Sequence, residues 1–198
     1  MGIKILSLLS AFKKVDNLES ETAILLTHTP QNGPSAYLNI IFKPAPRKAL
    51  RDVAQEMQMP ESLVELLQDQ NGAILFSGAL SIYGIHLHGQ LLDRTSPSFN
   101  LPFNIKQENL NWPPYDRTRF LAIGGYGFDG SSVCIDRNDA NLYLFQRADH
   151  GLRAVPSSKW RNPEEWLTNE IARLSNLFDS RGQRLVDESQ TVPYLYSA

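Results

Sequence analysis

The apolar positions of this chain fall in short runs, most clearly from Phe120 to Phe145, FLAIGGYGFDGSSVCIDRNDANLYLF. Three apolar runs, Phe120–Ile123, Val133–Ile135 and Leu142–Phe145, are parted by two blocks rich in Gly, Asp, Asn and Ser. That pattern predicts consecutive strands joined by turns. In the second block, Asp136 to Asn141, the Asn and Asp side chains can bond their own backbone, as a hairpin loop requires. Earlier, Thr22–Thr29 and Ser35–Phe42 flank Pro30-Gln-Asn-Gly-Pro34 and predict another β-hairpin. Lys43-Pro-Ala-Pro46 stops its second strand, because proline cannot continue a ladder.

Helical periods occupy other stretches. Ile5, Leu8, Leu9, Phe12 and Val15 share one face of an N-terminal helix. Leu50, Val53, Ala54 and Met57 make one buried stripe along Arg47–Met57. Pro60 opens a further helix through Leu63, Val64, Leu66 and Leu67, and Asn71-Gly72 ends it with residues that tolerate a left-handed cap. The run Asn162-Pro163-Glu164-Glu165 starts the last helix, with an Asn cap, Pro at the first position and Glu three residues after the cap. Its apolar face, Trp166, Leu167, Ile171, Leu174 and Phe178, runs to about Asp179.

Between these helices, Ala73–Ile85 reads as a strand with a break or bulge at Ser77-Gly78. Arg153–Val155 is a short run, after which Pro156-Ser-Ser leads out. His86 to Arg119 carries four prolines and no sustained period, so a long loop is expected there. Loops of that length usually serve a function, which makes it a candidate interaction surface. The tail from Ser180 is polar until Val192–Tyr196, which either stays loose or docks on the core or a neighbour.

Gly125-Tyr-Gly127-Phe-Asp-Gly130 matches the dinucleotide pattern G-x-G-x-x-G in form. A dinucleotide site needs its third glycine to open a helix whose free N–H groups hold the pyrophosphate. Here Ser131-Ser-Val-Cys-Ile-Asp136 comes next, which reads as a strand. The kinase alternative lacks its V-A-I-K, H-R-D and D-F-G companions. The glycines are therefore read as supplying positive φ angles to a wide turn, with Tyr126 and Phe128 packed or exposed at its tip.

Length and composition then bound the class. A chain of 198 residues with 42% hydrophobic and 20% charged positions can bury a core as one ordinary domain, with extensions. Net charge is −2, from 19 basic and 21 acidic residues, which argues against a dedicated nucleic-acid binder. Cys134 stands alone, so no intrachain disulfide or cysteine metal cage can form, and it reads as a small buried hydrophobe. The apolar run Ile5–Phe12 is short, broken by serines and followed by Lys13-Lys14, which disfavours a secretory signal. No run approaches the length of a membrane span. The expected compartment is the cytoplasm.

The order of these pieces resembles the SUKH superfamily, the group of the yeast cell-wall assembly regulator of the Smi/Knr type and its bacterial relatives. The residues that carry the likeness are Met59-Pro60, Leu66-Leu67, Asn71-Gly72, Ile82-Tyr83-Gly84, Phe120-Leu121-Ala122-Ile123-Gly124, Gly127, Asp129-Gly130, Asp136 and Glu164-Glu165-Trp166-Leu167. They run from about Arg47 to Phe178, two thirds of the chain. The likeness implies an α+β domain, SUKH-like, with a mixed, mainly antiparallel sheet packed against several helices. Residues 1–46 would form a helix and hairpin extension packed on the core, 47–178 the SUKH-like domain, and 179–198 a C-terminal tail. It also implies a role in binding other proteins: bacterial members are commonly immunity proteins that neutralise toxins, and eukaryotic relatives are regulatory hubs. No catalytic residues define the family, so none are expected here, and no cofactor.

The expected function is therefore a non-enzymatic protein-binding module, an immunity-type protein that neutralises a toxin by direct binding. The alternative is a regulatory or scaffold protein of the cell-wall-assembly type with no toxin partner. The candidate partner-binding residues are Trp112 and Tyr115, expected close together on an accessible surface, with Tyr126, Phe128 and Asp129 in the glycine turn. Tyr and Trp dominate binding hot spots. The plainer reading is that these aromatics plug the end of the sheet. Near-zero net charge fits poorly with a nuclease-neutralising surface. An enzymatic reading rests on His86-Leu-His88, two imidazoles on one face of a strand, with Asp93 as a third metal ligand. Histidines alternating at a strand end are more often surface residues, and neither His28 nor His150 is tied to this pair.

Overall fold

A computed structural model describes residues 4–12, 17–86, 101–111, 117–146 and 156–193. The strands are β1 (Leu18–Glu19), β2 (Ala23–His28), β3 (Tyr37–Phe42), β4 (Ala73–Leu75), β5 (Leu80–Ile82), β6 (Phe120–Tyr126), β7 (Ser132–Asp136), β8 (Leu142–Phe145) and β9 (Pro156–Trp160). They form one sheet in chain order, each antiparallel to the next. The helices are α1 (Ile5–Leu8), α2 (Arg47–Met57), α3 (Glu61–Asp69), α4 (Ile105–Asn111) and α5 (Pro163–Ser175). The architecture is α+β in a single domain. Alternate connections of an antiparallel meander share an end, so the β2–β3, β4–β5, β6–β7 and β8–β9 connections all leave from the same end of the sheet.

The helix α5 forms as its sequence predicts. Asn162 Oδ1 accepts from Glu165 N (2.8 Å), Pro163 opens the first turn, and the Glu165 carboxylate accepts from Arg161 N (2.7 Å). Trp166, Leu167, Ile171 and Leu174 are fully buried on its inner face. The helix ends at Ser175, short of Asp179, although Phe178 still packs against Phe76 with ring centroids 5.3 Å apart. α1 and α3 lie beside α5, and α2 beside α3. α2 has the predicted bounds, ending in a left-handed Gln58 (φ 51°). A second apolar cluster joins Ala23, Leu25, Ile40 and Phe42 of β2 and β3.

Close approach explains most of the glycine spine. A Cβ on Gly124 would lie 2.4 Å from the Ser81 carbonyl oxygen and 2.8 Å from the Trp166 ring. One on Gly125 would lie 2.5 Å from the Ser131 carbonyl oxygen. Both residues therefore sit inside β6, which runs on to Tyr126 rather than stopping at Ile123. Within this block only Gly130 (φ 70°) uses the left-handed region, so the expectation that these glycines supply positive φ holds for that one residue. No helix rises from Gly130; β7 begins two residues later.

Other expectations need correction. Ala73–Ile85 is not one interrupted strand but a complete reversal, β4 to β5, because Phe76, Ser77 and Gly78 all take positive φ (54°, 56° and 88°). The His86–Arg119 excursion contains α4, which fills the gap beside β6 where β5 ends. Asn109 Nδ2 donates to the Ala122 carbonyl (2.8 Å) and Asn109 Oδ1 accepts from Ala122 N (2.9 Å), so one side-chain amide serves as a strand neighbour. Helix α3 ends at Asp69 with Gln70 extended; Gly72 (φ 84°) comes later, and Asn71 instead clasps Ile85 through both backbone groups. Pro156-Ser-Ser begins β9, proline being tolerated as the first residue of an edge strand. Arg153–Val155 and Val15 lie outside the described residues. In the tail, Glu188–Thr191 forms a short 3₁₀ turn and Val192 is fully buried, so that part docks, while Tyr194, Leu195 and Tyr196 lie outside the described residues.

Candidate functional site

Three of the connections at the shared end of the sheet are described: a backbone hydrogen bond joins the β4–β5 and β6–β7 turns, and a side-chain bond joins the β2–β3 loop to the β4–β5 turn. In the β4–β5 turn, Gly78 N donates to Leu75 O (3.1 Å) and Ala79 N to Phe76 O (3.1 Å). Left-handed conformation at a non-glycine residue costs about 1–3 kcal/mol and persists only where the surroundings impose it. Here they do. The Phe76 ring is buried between Phe12 (5.7 Å) and Phe178, and its N–H donates to Asn39 Oδ1 (3.0 Å). Ser77 N donates to Leu38 O (2.8 Å), and Asn32 Nδ2 from the β2–β3 loop reaches Ser77 Oγ (3.4 Å).

The β6–β7 turn is joined to the same structure. Gly127 N donates to Ala79 O (3.3 Å), and a Cβ on Gly127 would lie 2.4 Å from the Gly78 carbonyl oxygen. Only glycine lets the two turns come this close. The turn itself is closed by Gly130 N to Tyr126 O (3.1 Å) and Tyr126 N to Ser131 O (2.9 Å). Asp129 Oδ1 accepts from both Ser131 N (3.0 Å) and Ser131 Oγ (2.7 Å), which fixes its carboxylate.

On this tied rim Phe128 is 46% exposed, an aromatic ring facing outward from a fixed turn. Asp129 is the only charged side chain among residues 29–36, 76–79 and 127–131. The rim is thus a surface of small polar groups with one aromatic ring and one oriented carboxylate.

Tyr126 does not share that exposure. Its side chain is 2% exposed and points beneath the turn, which withdraws it as a contact residue. Trp112 and Tyr115, with the expected closeness between them, lie outside the described residues. The sequence reading missed the β4–β5 turn as part of the rim, although its Ser77-Gly78 pair is an ordinary turn signal.

Other candidate sites offer less. His86 is exposed and its Nε2 lies 2.7 Å from the Pro102 carbonyl, while His88 and Asp93 lie outside the described residues. Among the described residues no group of three or more His, Cys, Asp and Glu could hold a metal, and no helix is long and apolar enough to cross a membrane. Cys134 is completely buried, and burial pushes its thiol far above the usual range, which suits an inert core residue. A cleft of about 220 Å³ opens near the start of β6, lined in part by Met57, Gln58, Asn109, Phe120 and Arg137. It is smaller than the usual small-molecule pocket. Its Arg137 guanidinium is engaged by the carbonyls of Met57, Arg117 and Phe120, and its Glu56 pairs with Lys106.

No family model, curated protein or solved structure matches this chain.

Proposed function

We propose that the chain is a non-enzymatic protein-binding module of the SUKH kind, an immunity-type protein that neutralises a toxin by direct binding through the loop rim. The observation that carries this reading is Phe128, an exposed aromatic on a turn already fixed by its neighbours. A preformed surface loses little conformational freedom on binding, so more of the contact energy appears as affinity. Covering the exposed part of one such ring contributes about 1 kcal/mol from area alone, and a fitted anchor contributes more. Asp129, held by Ser131, adds a directed acceptor at the edge of the ring. The three described rim loops carry no His, Cys or Lys and no second carboxylate to serve as a base, which favours binding over bond-making chemistry.

The near neutrality of the rim also supports a second reading, a regulatory or scaffold protein of the cell-wall-assembly type. A surface built to block a basic nuclease is expected to be acidic, and this one has a single carboxylate among the described rim residues.

Tagged wild-type and Phe128→Ala chains, expressed in the native cell and purified with quantitative identification of what travels with them, test the rim. The expected result is one partner recovered at least about ten-fold less with the variant. Equal recovery would overturn the rim as the binding surface. Growth during expression of the partner then separates the readings: rescue by this chain marks immunity, and a harmless partner marks regulation.

A further inference from the structure

The chain holds two Asn-Gly pairs, Asn32-Gly33 and Asn71-Gly72, and the fold treats them oppositely. A glycine after asparagine brings no side chain to shield its amide nitrogen, which can then reach the asparagine side-chain carbonyl wherever the backbone is free to turn. At Asn71 the backbone is not free. Asn71 is 8% exposed, its Nδ2 donates to Ile85 O (2.8 Å) and its Oδ1 accepts from Ile85 N (2.7 Å). A Cβ on Gly72 would lie 2.6 Å from the Ile82 carbonyl oxygen, so the main chain there is closely packed.

At Asn32 each restraint is weaker. Pro30, Gln31, Asn32 and Pro34 are exposed at the tip of the β2–β3 loop. The Asn32 side chain reaches Ser77 Oγ through Nδ2 at 3.4 Å, near the long end of a hydrogen bond. The Gly33 N–H donates to Pro30 O (3.2 Å) at the end of a three-residue 3₁₀ turn. A Cβ on Gly33 would meet only Ala36 Cβ, at 3.9 Å. A short turn at an exposed loop tip opens at little cost.

We propose that Asn32 is a site of spontaneous deamidation and that Asn71 is protected from it. The Gly33 amide nitrogen gives its proton to solvent base and attacks the Asn32 side-chain carbonyl carbon. A bond forms between Gly33 N and Asn32 Cγ, the Cγ–Nδ2 bond breaks, and Nδ2 takes up a proton and leaves as ammonia. Water then opens the cyclic imide at either of its carbonyls. Opening at Cγ leaves an aspartate in the normal main chain, and opening at the backbone carbonyl leaves an isoaspartate. Water is the only co-reactant. Residues 29–36 carry no charge, so either product gives this loop its first carboxylate, on the same rim as Asp129. It also puts an acceptor where an amide donor faced Ser77 Oγ. The rim of an aged molecule is thus more acidic than that of a new one. This holds whether or not the rim captures a protein.

The test is to age the folded full chain at mildly alkaline pH and body temperature, then digest it in weak acid for peptide mass spectrometry. The peptide holding Asn32 should gain the mass of an amide-to-acid change at least about ten-fold faster than the one holding Asn71, which must first break two buried hydrogen bonds. Asn32→Gln keeps an amide but sets its carbonyl one carbon farther from Gly33 N. That variant should lose the acidic species which the wild-type chain accumulates on ion exchange. Equal conversion at the two pairs would overturn the inference, as would acidic species that build up in Asn32→Gln at the wild-type rate. So would an Asn32 that stays an amide in the folded chain over the time in which the chain unfolded in guanidinium converts.

Discussion

The two turns that flank β7 are built from similar residues and do different work. Gly127–Ser131 and Arg137–Asn141 each follow a strand, and each uses an Asp side chain to bond a backbone N–H two residues on. At the second turn Asp136 and Arg137 reach inward, while Asn138 and Asp139 at its tip stay exposed. Asp136 is fully buried, accepting from Arg119 Nε (2.7 Å) and Asn138 N (2.9 Å). Arg137 donates to Arg117 O (2.7 Å), Phe120 O (2.9 Å) and Met57 O (3.1 Å). Met57 is the last residue of α2, so that cation also meets the negative end of a helix. In the first turn, among the described residues, the tie beyond the turn's own strands runs to the β4–β5 turn, and an aromatic ring is left outside. Composition does not separate a structural clamp from a display turn; what the side chains reach does.

Removing the clamp should have the largest effect. Arg137→Ala leaves three carbonyls without their charged donor and should lower unfolding stability by about 2–4 kcal/mol, read from urea denaturation. A loss below about 0.5 kcal/mol would mean that the two turns differ less than their contacts suggest. Gly124→Ala comes next. Its methyl would press on the Ser81 carbonyl and the Trp166 ring, for an expected cost of about 1–3 kcal/mol by the same assay. If that variant is as stable as wild type, β6 has room that the fold as described denies it.

Phe128→Ala should change stability by no more than about 0.5 kcal/mol, because the ring is half exposed. A thermal or urea transition well below wild type would make Phe128 a packing residue and weaken it as an anchor.

The smallest effect concerns Asp139 in the clamp turn. Its bond from the Asn141 backbone N–H, with smaller help from Lys159 and Arg119, holds its carboxyl below the usual aspartate value. The lowered value fixes the sign: the contribution is complete above the ordinary value and is lost as pH falls through the lowered one. Asn141 amide exchange, corrected for its intrinsic pH dependence, should therefore quicken in that acid window. Asp139→Asn should abolish the change.

Much of the architecture was legible because it follows local chemistry. The Asn162-Pro163-Glu165 start, the Arg47–Met57 stripe and the strand–turn alternation from Phe120 each declare themselves within a few residues. Features that escaped depend on distant contacts. Gly124 and Gly125 looked like turn glycines because glycine serves tight packing as well as positive φ. The β4–β5 reversal was hidden because its left-handed residues begin at Phe76, held there by Phe12 and Phe178. Helix α4 gave no period because it is short and is fastened by Asn109 to a strand later in the chain. In the candidate site, the turn carrying Phe128 and Asp129 could be read from its glycines. The burial of Tyr126 could not, since nothing local says which face of β6 meets α5. Arg137 is separated from Met57 by 80 positions, which no local pattern spans.

The most direct measurement of the proposed rim is backbone amide exchange of this chain with and without a protein that co-purifies with it from the native cell. Slowed exchange at 76–79 and 127–131, with Arg137–Asn141 unchanged, is the expected pattern. Protection at Arg137–Asn141, with the rim exchanging as in the free chain, would contradict it.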